Sequence, residues 1–423
     1  MTIQFLLFSF LVFLFNNGAS SYVPSQDLTS NSLAEAPSFH TRYHPNSDEQ
    51  DVFNVDDYGA KADGTDDREA FKGAWEAACN STADTTVLLV PRNKTYLLRP
   101  LVFNGPCEAK SVTVKIKGNL KAPSDRSDWS NYWIKFRYVK HLTVKGGGKL
   151  DGSGQIWWQH SCKINRTLPC TDAPTALMFY QCKHLRVSNL TSKDSQQIHV
   201  VFSHCSHVEA LHLTIRAPLW SPNTDGIHLT STRNMKISDC FIGTGDDCIS
   251  IVNGSKHVHV NNIVCGPGHG ISIGSLGANN SRAHVSNVHV EKATLIGTTN
   301  GVRIKTWQGG HGYAKNIHFQ DIFMCNVSNP IIINQNYCDS KIPCYQQNSA
   351  VAVREVTFKN IRGTSATDIS VNFNCSSTVP CKHIELEDIS LVSSDTFTSS
   401  SSCINVNSTE SGSVFPSCNT KRN

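Results

Sequence analysis

The sequence predicts an all-β fold, a right-handed parallel β-helix, and two observations lead to that prediction. Short apolar strands recur once every 21 to 31 residues, and Ile227, Ile249 and Ile271 lie at identical intervals of 22 residues. A fixed interval in this range indicates stacked structural repeats. A meander of hairpins would need a turn about every 8–12 residues. Each coil is therefore expected to contribute one strand to each of several parallel sheets.

Aligning the apolar strands on their second residue extends the repeat in both directions. The aligned residues are Leu177, Ile198, Ile227, Ile249, Ile271, Val302 and Ile331. Asn-rich turns between coils, such as NVSN, suit this fold because Asn tolerates left-handed backbone angles. Leucine-rich repeats are the main alternative, but the coils lack the L-x-x-L-x-L pattern of that class. The prediction is therefore a single-stranded β-solenoid.

Three stretches of the chain are expected to differ in organisation. Residues 1–20 contain an apolar run of 11 residues, FLLFSFLVFLF, followed by GASS, which predicts a secretory signal. Residues 21–50 lack periodicity and are expected to be a flexible leader or pro-segment. Residues 51–423 are expected to form the β-helix domain, with a loop-rich C-terminal end, and to contain any catalytic site.

A helix is expected at the start of the β-helix domain. In DREAFKGAWEAAC, the residues Ala70, Trp75 and Ala78 form an apolar face, and Thr65 or Asp66 is expected to be the N-cap. An uncapped repeat array leaves its core open at the end. We therefore expect this helix to cover the first coil.

Cysteines and charge limit the classes of function. Sixteen cysteines in an exported chain indicate disulfides, and no C-x-x-C pair indicates a metal site. The formal charge of +4 tolerates an acidic partner, and nothing indicates nucleic-acid binding or a membrane span in the mature chain. The sequence does not fix the cysteine pairing. The pairs considered are Cys162/Cys170, Cys248/Cys265, Cys338/Cys344, Cys375/Cys381 and Cys403/Cys418.

Polar residues occupy the same register position in three consecutive coils. Asp225, Asp247 and His269 each lie two positions before an aligned isoleucine, and Asp246 is the neighbour of Asp247. Parallel strands lie about 4.8 Å apart, so residues in the same register lie side by side. These four side chains are therefore expected to form a ladder on the outside of one sheet.

Clustered carboxylates favour acid/base chemistry. Their mutual repulsion is expected to raise the pKa of at least one of them, as hydrolysis of a glycosidic bond requires. Arg303 and Lys305, two apart on the next strand, offer positive charge for an anionic sugar, while His199 and His228 are weaker candidates for the same face. A single Asp at such a turn usually just satisfies backbone amides. A purely structural role gives no reason for all these residues to share one register.

Four segments resemble the signature segments of plant polygalacturonases, glycoside hydrolase family 28. They are SPNTDGIHL, GTGDDCISI, CGPGHGISIGSLG and NGVRIKTWQGG, and the likeness runs from about Asp51 to beyond residue 400. The resemblance implies a secreted, extracellular plant cell-wall enzyme that cleaves α-1,4 bonds between galacturonates in pectin by an inverting mechanism. It implies a monomer with no cofactor and no metal, and proteinaceous inhibitors as candidate partners.

The resemblance also implies a role for each matching residue. Asp246 would be the general acid, Asp225 and Asp247 would activate the attacking water, and His269 would tune the protonation of the acid. The residues that would bind substrate are Asn223, Arg303, Lys305 and Tyr337. The chain departs from the family pattern at Asn334, at DSQQ (194–197) and before the Pro-Thr of APTAL. These departures put subsite preference in question more than activity.

Other functions remain open at this point. A pectate lyase shares the β-helix but eliminates rather than hydrolyses, and it typically needs calcium. A rhamnogalacturonan hydrolase is a second enzyme alternative, less favoured because His269 and the Arg303/Lys305 pair suit galacturonate on both sides of the bond. From a different class, the chain could be a pectin-binding β-helix without turnover, but intact Asp225, Asp246 and Asp247 argue against that. Whether cleavage is endo or exo is not decided by the sequence.

Overall fold

The computed structural model describes residues 51–340, 342–396 and 398–419. The signal predicted for residues 1–20 and the leader predicted for residues 21–50 lie outside the described residues. The predicted division of the chain into these segments therefore stays a prediction.

Parallel strands dominate the described chain. Every pairing between its named strands is parallel, and these strands form one sheet of eleven strands and one of eighteen. Each coil contributes one strand to the eleven-stranded sheet and then bends through the eighteen-stranded sheet. The predicted right-handed parallel β-helix is confirmed.

The strands are numbered in chain order. The first ten are β1 (Asp51–Asn54), β2 (Thr85–Val90), β3 (Thr95–Leu97), β4 (Leu101–Asn104), β5 (Ser111–Ile116), β6 (Asn119–Lys121), β7 (Tyr132–Arg137), β8 (Lys140–Lys145), β9 (Lys149–Asp151) and β10 (Thr175–Tyr180). The next ten are β11 (Lys183–Ser188), β12 (Thr191–Lys193), β13 (Val200–Ser203), β14 (Ser206–Leu211), β15 (Thr214–Arg216), β16 (Ile227–Thr230), β17 (Arg233–Gly243), β18 (Ile249–Ile251), β19 (Lys256–Cys265) and β20 (Ile271–Leu276). The last nine are β21 (Arg282–Ile296), β22 (Asn300–Trp307), β23 (His311–Val327), β24 (Asn329–Tyr337), β25 (Ala352–Ser365), β26 (Ile369–Asn374), β27 (Cys381–Ser393), β28 (Ser400–Ile404) and β29 (Val406–Phe415). The eleven-stranded sheet contains β4, β7, β10, β13, β16, β18, β20, β22, β24, β26 and β28.

The register of the eleven-stranded sheet agrees with the predicted alignment in all coils but one. Ile227, Ile249 and Ile271 pair in successive strands, and Val302 and Ile331 continue the column. In the coil before them the partner of Ile227 is Val200, not Ile198. A shift of two residues keeps every side chain on the same face, so the alternating pattern alone could not exclude it.

Ladders of identical side chains fill the inside of the coils. Phe136, Phe179 and Phe202 are buried and stack in successive strands with ring centroids 5.3 Å apart. Because interiors are closely packed, replacing one of these rings with alanine is expected to cost about 3–5 kcal/mol. This packing gives the sheets the rigidity on which an external site can be built.

The helix α1 (Arg68–Asn80) lies against the first coils, as predicted. Trp75 is buried, and its Nε1 donates to the carbonyl of Asn104, at the end of β4, across 2.9 Å. The predicted N-cap is wrong, because the cap residue is Asp67. Its carboxylate accepts hydrogen bonds from the preceding loop, at Lys61 N and Ala62 N, instead of from the helix. A second, short helix, α2 (Gln155–Gln159), precedes β10.

Six disulfides crosslink the described chain. All five pairs considered from the sequence are present: Cys162–Cys170, Cys248–Cys265, Cys338–Cys344, Cys375–Cys381 and Cys403–Cys418. The sixth, Cys79–Cys107, ties the end of α1 to the loop after β4 and was not anticipated. No described helix has the length and apolar character needed to cross a membrane.

Candidate active site

The predicted ladder is present on the eleven-stranded sheet. Asp225, Asp247 and His269 each come two residues before the paired isoleucines that open β16, β18 and β20. Asp246 and Asp247 each offer a carboxylate oxygen, and His269 a ring nitrogen, with all three atoms within 4.8 Å of one another. The strand register therefore brings residues from three coils into one cluster.

Asp246 is held by three hydrogen bonds. His269 Nδ1 lies 2.9 Å from Asp246 Oδ1, and Asn223 Nδ2 donates to Asp246 Oδ2 across 3.2 Å. The backbone N–H of Asp247 donates to Asp246 Oδ1 across 2.8 Å. Asn223 was predicted as a substrate contact, and in the structure its side chain helps to orient this carboxylate.

The contact between Asp246 and His269 moves the pKa of both groups. Burial opposes ionisation of Asp246, but the hydrogen bond and charge of His269 and the charge of Lys305 outweigh it and lower the pKa of Asp246 to about 2. The hydrogen bond that the imidazole donates to the Asp246 carboxylate outweighs burial and raises the pKa of His269. The pair therefore favours a proton on the imidazole beside an ionised carboxylate.

Asp247 forms ion pairs with two cationic side chains. Arg303 Nη2 lies 2.6 Å from Asp247 Oδ1, and Lys305 Nζ lies 2.9 Å from Asp247 Oδ2. Ser272 Oγ donates to the same Asp247 Oδ1 across 2.8 Å, and Asp247 is 1% exposed. The sequence predicted the two cations as substrate contacts. The structure shows that they compensate the charge of a buried carboxylate, a role that the sequence did not reveal.

Asp225 has a different environment. Ser250 Oγ donates to Asp225 Oδ2 across 2.7 Å and lies 2.7 Å from His228 Nδ1. Burial, then the negative charge of Asp246, raises the pKa of Asp225. The sequence predicted that crowding would raise the pKa of at least one carboxyl; at Asp225 the charge of Asp246 does contribute, but burial contributes more. Ser250 itself was missed.

His199 is not part of this face. It was predicted there because it follows Ile198, but Ile198 is not the register residue of its coil. His199 is fully buried, with Nδ1 2.8 Å from Ser192 Oγ, and burial lowers its pKa to about 3. It is therefore a neutral interior histidine, whereas His228 lines the site as predicted.

Tyr337 stands beside the cations. Lys305 Nζ lies 5.4 Å from the centroid of its ring, and Trp307 packs edge-on against it. Burial, with a smaller contribution from the charge of Asp339, raises the pKa of Tyr337 to about 12. The phenol therefore keeps its proton and can donate a hydrogen bond to a sugar.

Two adjoining cavities both include Asp246 in their lining. One, of about 350 Å³, contains Asp225, His228 and Asp247, and the other, of about 330 Å³, contains His269 and Arg303. Their shared lining residues are Asn223, Asp246, Lys305, Tyr337 and Asp339. A larger cavity of about 580 Å³ around Trp158 and Trp220 contains none of the predicted site residues.

An ion pair joins two loops at this cleft. Lys163 Nζ lies 2.6 Å from Asp339 Oδ1, although the residues are 176 positions apart. Lys163 belongs to the loop before β10, closed by Cys162–Cys170, and Asp339 to the loop after β24, closed by Cys338–Cys344. Lys163 and Asp339 both line the cavity that contains Asp246 and His269, so their contact lies at the catalytic cleft.

By distance alone, Asp246, Asp247 and His269 could hold a metal ion. The charges argue otherwise, because Arg303 and Lys305 already occupy both oxygens of Asp247. A divalent cation there would meet two fixed positive charges. The arrangement suits acid/base catalysis: a carboxylate that shares a proton with an imidazole stands beside two further carboxylates that can hold and deprotonate a water.

Comparison with known proteins agrees with this chemistry. Residues 79–412 match the model of glycosyl hydrolases family 28. The chain is 54% identical over 369 residues to "Polygalacturonase QRT2" of Arabidopsis thaliana, and the aligned residues cover 86% of this chain and 84% of that protein. It is 53% identical over 370 residues to "Polygalacturonase-2" of Solanum lycopersicum, with 87% of this chain and 80% of that one covered.

Solved structures share the fold. The polygalacturonase of Erwinia carotovora superposes with a TM-score of 0.70 at 24% identity, covering 85% of this chain and 97% of that one. Endopolygalacturonase I of Stereum purpureum, solved with two galacturonates, superposes with a TM-score of 0.59 at 18% identity, covering 78% and 95%. At these identities the likeness concerns the architecture.

Proposed function

The chain belongs to glycosyl hydrolases family 28, and from that premise we propose that its carboxylate ladder is the active site of a polygalacturonase. The enzyme hydrolyses α-1,4 bonds between galacturonates in the polygalacturonate of pectin. The observation that carries the proposal is the pairing of Asp246 with His269 beside Asp247 and its two cations.

Asp246 is the general acid in this proposal. The raised pKa of His269 keeps a proton on its imidazole, 2.9 Å from Asp246 Oδ1. As the glycosidic oxygen departs, Asp246 gives it a proton, and the imidazolium supplies that proton through the hydrogen bond. Before the reaction Asp246 is a carboxylate, and the proton that it relays is held on the imidazolium of His269.

Asp225 and Asp247 hold the attacking water and take its proton. The charge of Asp247 is already compensated by Arg303 and Lys305. Asp225 keeps its hydrogen bond from Ser250, which favours the ionised form against burial. The water adds to the anomeric carbon, one of its protons passes to a carboxylate, and the leaving sugar receives the proton of Asp246.

We propose inversion at the anomeric carbon, although the spacing is short. Carboxyl groups of inverting enzymes are typically about 6.5–9.5 Å apart, whereas oxygens of Asp246 and Asp247 lie within 4.8 Å. Asp225 belongs to the neighbouring coil, and in this proposal the attacking water stands between Asp225 and the sugar bound at Asp246. Proton NMR of the first product decides this point: inversion gives the β-anomer, and an α-anomer would overturn the single-displacement mechanism.

The substrate class follows from charge. Arg303 and Lys305 line the cleft beside Tyr337, and Asp247 holds both side chains in place. The carboxylate of an acidic sugar can therefore bind to the same two cations. The remaining expectations are also proposals: secretion to the plant cell wall, a monomeric state, and proteinaceous inhibitors as partners.

One assay separates the proposal from its alternatives. The chain is incubated with polygalacturonate, with and without a calcium chelator, and new reducing ends and ultraviolet absorbance are followed. Reducing ends without an absorbing product, and without calcium dependence, support hydrolysis. An absorbing unsaturated product points to a lyase, and no product points to a binding protein. Early dimers and trimers mean endo cleavage, whereas monomer alone means exo cleavage.

A further inference from the structure

A row of positive charges runs along the β-helix away from the active site. One register position in nine successive coils of the eighteen-stranded sheet is occupied by Lys140, Lys183, Ser206, Arg233, Lys256, Ser286, Lys315, Arg354 and Lys382. Seven of these nine residues are Lys or Arg. We call these seven residues the cationic column.

The column is long, accessible and separate from the catalytic cleft. With strands about 4.8 Å apart, nine coils span about 38 Å. Its residues are exposed or half-buried, and none of them lines either active-site cavity. Arg233 lies eight residues after Asp225, past the far end of strand β16, so the two rows occupy different edges of the same coils.

Acidic residues do little to neutralise the column. Within the described residues, only Arg354 of the seven forms an ion pair, with its neighbour Glu355. Like charges at directly opposite positions of paired strands destabilise a sheet. The formal net charge of the whole chain is only +4, so the seven positive charges of the column exceed the net charge of the protein. The mutual repulsion of the aligned cations opposes folding, and a long anion bound along the row would relieve it.

Aromatic rings accompany the cations. Tyr138 lies two residues before Lys140 and is 44% exposed. Tyr313 lies two residues before Lys315, whose Nζ is 4.9 Å from the centroid of the tyrosine ring. An aromatic face beside a cation suits a ligand that is both carbohydrate and acid, because the ring covers apolar C–H surface while the cation meets the carboxylate.

We propose that the cationic column is a second binding surface for unesterified polygalacturonate, distinct from the catalytic cleft. It rests on the proposed function, because polygalacturonate is then the polyanion that the protein meets. A polymer with one carboxylate per sugar can follow the row of cations, and the bound segment holds the enzyme on its substrate while the cleft acts on another segment. Counter-ion release makes such binding strongly dependent on salt.

The test removes four charges from the column. Lys183→Gln, Arg233→Gln, Lys256→Gln and Lys315→Gln are combined in an Asp246→Asn background, so that the polymer stays intact. Binding to immobilised polygalacturonate is measured as a function of salt, with a saturating short oligogalacturonide to occupy the cleft. Exposed ion pairs are individually weak, and four together are expected to change affinity about tenfold. A matched control combines Lys61→Gln, Arg92→Gln, Lys292→Gln and Arg362→Gln, which are exposed cations elsewhere.

The expected result is about tenfold weaker binding for the column variant and little change for the control. With Asp246 restored, the column variant should keep its kcat/KM on a short oligogalacturonide and lose efficiency only on the polymer. Equal losses in the two variants, or an equal loss on fully methyl-esterified pectin, would overturn the proposal. Failure of the wild-type chain to cleave polygalacturonate would refute the proposed function instead, since the binding measurement uses an inactive protein.

Discussion

His269 Nδ1 lies 2.9 Å from Asp246 Oδ1, and each group shifts the pKa of the other towards the ion pair. The two residues belong to adjacent coils, 23 positions apart in the chain. Their contact gives a role to the histidine at this register position, which is occupied by aspartate in the two preceding coils.

Replacing His269 with alanine should lower kcat strongly and leave KM nearly unchanged. The variant removes the group that stores the proton, so the pH–rate profile should also change shape. Kinetics across pH on polygalacturonate check this. A variant that kept kcat and profile but lost thermal stability would show that His269 only packs.

The same pair predicts how stability depends on pH. The raised pKa of His269 contributes stability that is fully present below its ordinary value of 6.5 and is lost as pH rises through the raised value. The lowered pKa of Asp246 contributes stability present above 3.8 and lost as pH falls towards about 2. The difference in Tm between wild type and His269→Ala should therefore be largest near pH 5 and shrink above neutrality. A constant difference across pH would contradict the ion pair.

Ser250→Ala should move the acidic limb of the pH–rate profile to higher pH. Ser250 Oγ donates to Asp225 Oδ2, and this hydrogen bond favours the ionised carboxylate, whose pKa burial already raises. Without the hydroxyl the pKa of Asp225 rises further, and the base is protonated over a wider range. An unchanged acidic limb would remove Asp225 from the role of base.

Lys305→Met should destabilise the protein as well as weaken substrate binding. Its ammonium compensates the buried Asp247 carboxylate, and breaking a buried ion pair costs about 3–5 kcal/mol. Adding Asp247→Asn should restore part of the free energy of unfolding, but not the activity. Denaturant unfolding of the two single variants and the double variant checks this. Additive losses would mean that the two side chains do not interact.

Breaking the Lys163–Asp339 pair should change the cleavage pattern more than the fold. Both side chains are about half exposed, and such pairs are worth about 0–1 kcal/mol. With Asp339→Asn the two loops can separate, and a polymer can enter the cleft sideways. The drop in viscosity per bond cleaved should rise, whereas Asp84→Asn, which breaks another exposed pair with Lys110, should leave it unchanged. An unchanged ratio in both variants would show that the contact does not restrict entry.

The sequence predicted the fold and the carboxylate ladder because both depend on one local rule, the register of successive coils. It misplaced one coil by two residues, since Ile198 and Val200 alternate in the same way, and His199 was misassigned as a result. Ser250 and Ser272 follow aligned isoleucines just as His228 does. The alignment that indicated His228 could therefore have indicated both serines, because they occupy the same register position.

The register of successive coils does not predict contacts between distant loops. The position of Asp339 depends on the course of a loop after β24, and no periodicity links it to Lys163. The pairing of Arg303 and Lys305 with Asp247 was also missed, because a strand pattern gives the face of a side chain but not its partner.

The rates of Asp246→Asn on two substrates test whether Asp246 is the general acid. Asparagine has the shape of the acid but cannot deliver its proton, so hydrolysis of polygalacturonate should fall by about 10²–10⁴-fold. A nitrophenyl galacturonide, whose leaving group departs as a stable anion without a proton, should lose far less. Retention of more than about a tenth of the wild-type rate on polygalacturonate, or equal losses on both substrates, would contradict the assignment of Asp246 as the general acid.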